Sequence, residues 1–180
     1  MSEKFDYIIL PPDAFHMTLR DRFVDARQHV QDALDAVSRI KKSEDRVVVK
    51  YRSKNQQLNF MCDAEALVGY GTLLDLCSEH TIVIGFPGSA MLECLLNDIR
   101  FFPFWDYRLH QQNRYFCMDA VQRLIDTVHV ARSGGELYDN LVHQRVYKPG
   151  RSKTQLLHQN GIQLHRIVDE ILTLNNKINT

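Results

Sequence analysis

Residues 81–106 read TIVIGFPGSAMLECLLNDIRFFPFWD, and this stretch decides the predicted fold of the chain. A run of mostly β-branched residues at 81–84 meets a glycine-containing loop, an apolar helical pattern follows, and a second apolar run covers 99–104. Strand, loop, helix and strand in this order form the repeating unit of a parallel sheet. The glycine loop therefore lies at the carboxyl end of a strand, where such sheets bind their ligands.

The composition indicates one domain without an electrostatic preference for a charged partner. The 180 residues are enough to bury a sizeable core, and 22 basic residues balance 22 acidic ones, so we expect no nucleic-acid partner. The sequence opens without a signal-peptide pattern and no apolar run reaches the length of a membrane span, which predicts a cytoplasmic protein. The cysteines form no C-x-x-C pair and are expected to be reduced core thiols: Cys62, Cys77, Cys94 and Cys117.

Alternating apolar patterns along the whole chain predict an α/β fold. Strands are predicted at 5–10, 46–51, 81–84 and 99–104, with 58–62 as a short strand or an extended link. Helices are predicted at 23–40, 63–68, 72–79, 89–97, 118–131, 136–144 and 152–174. This alternation favours a Rossmann-like parallel sheet with helices on both faces. We expect the domain to span 1–150 and a long C-terminal helix, within 151–180, to pack back on it or on a partner domain.

The glycine loop at 85–89 is the first candidate binding element. Ser89 is the predicted N-cap of the helix that follows, and Ala90 lies in its first turn. Free N–H groups and the positive end of the helix dipole attract phosphate or a sugar hydroxyl. The alternative is a tight turn that needs Gly85 and Gly88 only for backbone geometry, and both interpretations stay open at the level of sequence.

Glu93 is the second candidate, because it lies in an otherwise apolar part of the same helix, MLECLL. Burying a carboxylate without a partner is costly. Glu93 therefore either reaches the sheet edge and contacts a ligand, which we favour, or takes part in a structural ion pair.

Basic and polar residues follow the first two predicted strands. Lys50, Arg52 and Lys54 end or follow the second strand, and His16, Thr18, Arg20 and Arg22 follow the first. Right-handed crossovers place these loops at the same sheet edge as the glycine loop. Basic groups that converge from several loops predict an anion site suited to a pyrophosphate. The alternative is a set of solvated surface charges.

Several chemistries are excluded because their motifs are absent from the sequence. Pro87 and Met91 occupy the glycine positions of a G-x-S-x-G nucleophile elbow around Ser89. The chain has no P-loop and no G-x-G-x-x-G after a strand, and its eight histidines include no H-x-x-x-H pair. We therefore expect no metal site. The aromatic run is expected to lie mostly in the core, with residues 105–107 lining a cleft: Phe101, Phe102, Phe104 and Trp105.

The order of these elements resembles the C-terminal, donor-binding half of a GT-B glycosyltransferase of the kind found in bacterial capsule and lipopolysaccharide synthesis. The resemblance covers roughly residues 4–145 and rests on a VVVK strand with a basic loop, followed by TIVIGFPGSAMLECLLNDIRFFPF. In that family, small residues approach the donor phosphates and a helical glutamate holds the donor ribose or sugar, which corresponds here to Gly88, Ser89, Ala90 and Glu93. The K-x-H-P motif of the family matches only at Lys50, and Arg52 stands where its histidine would be.

The resemblance implies a nucleotide-sugar-dependent glycosyltransferase domain that acts in bacterial polysaccharide biosynthesis with no cofactor other than its nucleotide-sugar substrate. It implies one set of donor-binding residues: Thr18, Arg20, Lys50, Arg52, Gly85, Gly88, Ser89, Ala90 and Glu93. His16 is the only candidate for a catalytic base. A GT-B enzyme has two such domains, so a partner N-terminal domain or a homo-oligomer is expected. The alternatives are a non-catalytic GT-B-like interaction or nucleotide-binding module and a nucleotide-sugar epimerase-like protein.

Overall fold

The structure is a computed structural model that describes residues 4–11, 22–51, 65–68, 71–86, 88–105 and 129–145. The chain divides into two compact units, Met1–Tyr147 and Lys148–Thr180. The second unit lies outside the described residues, and so does the predicted C-terminal helix. The predicted strand or link at 58–62 and residues 118–128 of a predicted helix also lie outside them.

A five-stranded parallel sheet forms the centre of the first unit. Its strands are β1 Phe5–Leu10, β2 Val47–Tyr51, β3 Glu65–Val68, β4 Cys77–Gly85 and β5 Arg100–Pro103. They lie in the order β3-β2-β1-β4-β5, and every neighbouring pair is parallel. The helices are α1 Arg22–Ser38, α2 Leu73–Leu76, α3 Ser89–Leu96 and α4 Gly134–Val142. The α/β prediction is therefore confirmed, and the strand order is that of a Rossmann-like sheet.

Helices cover both faces of this sheet because alternate strand residues point to opposite sides. One face carries Tyr7, Ile9, Val49, Ile84 and Phe102, which form a buried cluster with Val30, Ala33 and Val37 of α1 and Leu137 and Leu141 of α4. The opposite face carries Ile8, Val48, Val83 and Phe101, all at most 1% exposed, and Met91, Cys94 and Leu95 of α3 are buried on that side. Apolar burial on both faces is the main stabilising contribution to the unit.

The crossover connections that leave β1 and β4 run in opposite directions along the sheet. The chain leaves β1 through α1 and enters β2, whereas it leaves β4 through α3 and enters β5 on the other side. Right-handed crossovers in opposite directions put α1 and α3 on opposite faces. The carboxyl ends of β1 and β4, paired at Leu10 and Gly85, therefore flank the topological switch point of the sheet.

A left-handed residue ends α3 and turns the chain into β5. Asp98 has φ 58°. The Ile99 N–H donates to the Cys94 carbonyl oxygen at 2.9 Å, and the Asp98 N–H donates to the Leu95 carbonyl oxygen at 3.4 Å. This is a Schellman motif, and it fixes the angle between α3 and β5.

Three predicted helices are wrong in part. Residues 65–68 form β3, which pairs from Val48 with Glu65 to Tyr51 with Val68, although 63–68 was predicted to be helical. Only Leu73–Leu76 of the predicted helix 72–79 is helical, and the remainder opens β4. Ala131 bridges Phe104, and residues 129–131 at the end of the helix predicted for 118–131 are not helical. In each case backbone pairing with the sheet overrides a local helical pattern.

The described cysteines agree with the prediction of reduced core thiols. Cys77 and Cys94 are both free and buried, whereas Cys62 and Cys117 lie outside the described residues. Within the ranges that the structure describes, none of the helices has the length and apolar character needed to cross a membrane.

Candidate functional site

The crevice at the switch point is the candidate site, and the structure describes six of its predicted residues. These are Lys50 at the end of β2, Gly85 at the end of β4, and Gly88, Ser89, Ala90 and Glu93 at or within α3. His16, Thr18, Arg20, Arg52 and Lys54 lie outside the described residues. Their grouping at this edge remains a prediction.

Gly85 is required by close packing between β1 and β4. A Cβ atom at this position would lie 2.9 Å from the Leu10 Cβ and 3.3 Å from the Leu10 carbonyl oxygen. Such contacts are shorter than van der Waals separation, so a side chain would push the two strands apart. The packing of β1 against β4 therefore explains why position 85 is a glycine, and no ligand contact is needed to explain it.

Gly88 is different, because the fold places no such demand on it. Its backbone is extended, with φ −154°, and an added Cβ would make an ordinary contact of 3.5 Å with the Phe86 ring. The helix begins at Ser89 with Gly88 as its N-cap, so the prediction of Ser89 as N-cap is wrong by one residue. Gly88 has no side chain to cap α3, so no side-chain hydrogen bond caps the first N–H groups of this helix.

Glu93 lies half-buried on α3, beside the fully buried Cys94. Burial raises the pKa of its carboxyl group, and the positive charge of Lys50 acts in the opposite direction. Within the described part of the chain, no side chain makes a hydrogen bond or an ion pair with this carboxylate. The structural ion pair considered for Glu93 is therefore not formed there.

Lys50 lies on the same side of the sheet as Glu93. The register pairs Ile9 with Val49, so Lys50 is level with Leu10 at the carboxyl end of β1. Its side chain follows Val48 in pointing to the face that α3 covers. The Lys50 charge is close enough to Glu93 to affect its pKa. The structure thus places on one face of the sheet two charged residues that lie 43 positions apart in the sequence.

An aromatic cluster joins the end of β4 to the residues after β5 and to α1. Phe86, the residue after β4, meets Trp105 in an edge-to-face contact with ring centroids 4.5 Å apart. His29 of α1 stacks on Phe104 at 4.1 Å. Trp105 is 5% exposed and Phe104 is fully buried, so the core prediction is confirmed for both.

The sequence analysis missed His29 and Phe86. His29 is 1% exposed, and it precedes the buried residues Ala33, Ala36 and Val37 by four, seven and eight positions. That helical spacing was the signal that His29 lies on the apolar face of α1. Phe86 lies inside the glycine loop at 85–89, where the sequence pattern assigns it no role.

Nucleophilic cysteine and metal chemistry find no support among the described residues. Burial raises the pKa of Cys77 to about 11, opposed by Lys4 and reinforced by Glu93. Burial, reinforced by Cys77 and Glu93, also raises the pKa of Cys94 above its usual value. Both thiols therefore stay protonated and weakly nucleophilic at neutral pH. In the same parts of the chain, no group of three or more His, Cys, Asp or Glu side chains is arranged to hold a metal ion.

The described crevice can attract an anion and accept a hydrogen bond. Lys50 supplies a positive charge, the open N-terminus of α3 supplies N–H donors, and Glu93 supplies an acceptor for hydroxyl groups. Comparisons with protein-family models, curated proteins and solved structures found no match for this chain. The functional argument therefore rests on the geometry of this crevice.

Proposed function

We propose that the protein is the donor-binding half of a GT-B type glycosyltransferase and binds a nucleotide-sugar in the crevice. The observation that carries the proposal is the placement of Lys50 on the same face as a half-buried Glu93, whose carboxylate has no direct side-chain partner among the described residues, at the switch point of a Rossmann-like sheet. Ligands of such sheets bind at this point. A cation and a carboxylate together suit a ligand that has both phosphate and hydroxyl groups.

Each part of the described site has a role in this proposal. The donor phosphates contact Lys50 and the N–H groups at the start of α3, which no side chain of Gly88 caps. Glu93 accepts a hydrogen bond from a ribose or sugar hydroxyl. Ser89 and Ala90 form the first turn that faces the phosphates. Fixed positive groups stabilise the departing nucleotide electrostatically, without a metal ion.

The loops after β1 and β2 complete the proposed site. Thr18, Arg20 and Arg52 extend the anion-binding surface, and His16 is the candidate base. The proposal also includes a partner GT-B N-terminal domain or a second copy that supplies the acceptor site, the C-terminal helix within 151–180, and a cytoplasmic role in bacterial polysaccharide synthesis.

A thermal-shift titration tests the proposal. UDP, CDP, GDP, CMP and UDP-sugars are titrated to millimolar concentration, and a ligand that binds only the folded protein raises the melting temperature in a concentration-dependent manner. We expect at least one nucleotide to do so. If none shifts the melting temperature, nucleotide binding is excluded, and a non-catalytic interaction module becomes the better account.

A further inference from the structure

We propose that Phe86 packs against the C–H face of a sugar ring that is bonded directly to a phosphate at the N-terminus of α3. The inference rests on the proposed function and deepens it, because it assigns a residue to the sugar part of the ligand. That sugar is either the ribose of the nucleotide or the sugar that is transferred. Both present an apolar C–H surface to an aromatic ring.

Phe86 is a partly exposed aromatic residue at the carboxyl edge of the sheet. It directly follows Gly85, the last residue of β4, which pairs with Leu10 at the switch point. Leu10 is also partly exposed. Ligand sites consist mostly of apolar and aromatic surface with a few polar groups, so an accessible ring at this edge suits the uncharged part of a ligand.

The Phe86 ring lies beside the N-terminus of α3. A Cβ atom at Gly88, the N-cap of this helix, would lie 3.5 Å from the Phe86 Cδ1 and 3.9 Å from its Cε1. The first N–H groups of a helix have no partner within the helix, and in the proposed function they bind phosphate. A sugar bonded to that phosphate reaches the ring, whereas the nucleobase is separated from the phosphate by the ribose.

A buried tryptophan holds the Phe86 ring in place. The Phe86 and Trp105 rings meet edge to face at 4.5 Å. Trp105 is 5% exposed and makes a second edge-to-face contact with the buried His29 at 6.4 Å. A ring that is already fixed loses little side-chain freedom when a ligand packs on its exposed part. The negative face of the ring attracts the C–H groups that the sugar oxygens polarise.

Calorimetric titrations of nucleotides and their sugar esters test this inference. UDP and UDP-glucose, GDP and GDP-mannose, and CMP and CMP-sialic acid are titrated into the full chain. The same titrations are made with Phe86→Leu, which keeps an apolar side chain without a ring, and with Phe86→Tyr, which keeps the ring. Tyr138→Leu is the matched control, because it removes a partly exposed ring on α4 that packs against the Arg39 guanidinium at 3.7 Å.

The fluorescence of Trp105 gives a second measurement that does not depend on the folding of a variant. Trp105 is the only tryptophan of the chain, and it contacts Phe86. A ligand that packs on Phe86 changes the surroundings of the indole, so we expect the emission of the wild-type protein to shift during the titration. The same shift is expected in Tyr138→Leu.

The expected result is a roughly threefold to tenfold loss of affinity in Phe86→Leu, with wild-type affinity in Phe86→Tyr and Tyr138→Leu. A loss confined to the sugar esters identifies the transferred sugar as the contact, and an equal loss for nucleotide and ester identifies the ribose. Wild-type affinity in Phe86→Leu, or binding that leaves the Trp105 emission unchanged, would overturn the inference while leaving nucleotide binding intact. If none of the six ligands binds, both the inference and the proposed function fail.

Discussion

The two ends of the parallel sheet differ in how their polar groups are satisfied. At the amino end, the Arg46 guanidinium pairs with Glu65 at 2.6 Å, and the Asp6 carboxylate accepts the Arg46 N–H at 2.9 Å. The buried Thr81 hydroxyl donates to the Phe5 carbonyl oxygen at 2.6 Å. At the carboxyl end, Lys50 and Glu93 interact only at a distance. Among the described residues, polar groups at the amino end are bonded to other strands, whereas the Glu93 carboxylate at the carboxyl end has no such bond.

This difference distinguishes a structural edge from the proposed binding edge. Polar contacts between neighbouring strands at the amino end hold β1, β2, β3 and β4 in register. The carboxyl end leaves a carboxylate and a helix N-terminus without direct side-chain partners among the described residues. Substitutions at the amino end should therefore affect stability, and those in the crevice should affect ligand affinity.

The largest expected effect is the loss of stability in Thr81→Val. The Thr81 hydroxyl accepts the Ser78 N–H at 2.7 Å and donates to the Phe5 carbonyl oxygen. Valine has the same shape but leaves both backbone groups without this partner, which should lower the free energy of unfolding by about 2 to 4 kcal/mol. Urea denaturation measures this loss. Nucleotide affinity should stay unchanged, and a large drop in affinity would contradict the separation of the two edges.

Glu93→Gln should lower ligand affinity and leave stability unchanged, the reverse of what we expect for Thr81→Val. Replacing the carboxylate with an amide weakens a hydrogen bond from a ligand hydroxyl, so we expect nucleotide-sugar affinity to fall by about 1 to 3 kcal/mol. Calorimetric titration measures this change, and the melting temperature should not fall. A large loss of stability with unchanged affinity would show that Glu93 has a structural role.

Gly85→Ala should destabilise the sheet at its carboxyl end. The new Cβ atom would lie 2.9 Å from the Leu10 Cβ, and we expect the free energy of unfolding to fall by about 1 to 2 kcal/mol. Gly88→Ala is the matched control, because its Cβ atom meets only the Phe86 ring at an ordinary distance. Denaturation of the two variants side by side measures the difference. Equal destabilisation of the two variants would contradict the claim that Leu10 leaves no room for a side chain at position 85.

The smallest effect concerns pH. Burial raises the pKa of Glu93 in the folded protein above its unfolded value, so the folded state binds more protons in the interval between the two pKa values. The contribution of Glu93 to stability is therefore fully present below the unfolded pKa and is lost as pH rises through the folded pKa. Glu93→Gln should remove this dependence. Denaturation of both proteins between about pH 4 and pH 7 tests the sign, and parallel stability curves would contradict it.

The strands that contain β-branched runs could be predicted from the sequence. The prediction failed for segments whose residues favour a helix but whose backbone pairs with a strand. The VVVK and TIVI segments lie in β2 and β4 as expected. The EALV segment contains strong helix formers, yet its backbone pairs with β2 and forms β3. Ala131 likewise joins the sheet through the Phe104 bridge. Such pairing depends on neighbours that are distant in sequence, and no local pattern reports them.

The sequence was sufficient to predict which described residues lie at the edge of the sheet, but not how their side chains are placed relative to one another. The strand ends placed Lys50 and Gly85 at one edge, because parallel strands share a direction. The sequence did not reveal that Lys50 faces α3 or that Glu93 lacks a direct partner among the described residues, since both follow from register and helix packing. It also gave no means of separating Gly85, which the sheet requires, from Gly88, which it does not.

Hydrogen–deuterium exchange with and without a bound nucleotide tests the central claim most directly, because it compares the two edges in one experiment. The account predicts slower exchange of the amide groups at residues 85–91 and near Lys50 when a nucleoside diphosphate is bound. It predicts no change at residues 77–81, at the amino end of β4. Protection at the amino end, or no protection at residues 85–91 by any nucleotide that binds, would contradict the assignment of the crevice as the binding edge.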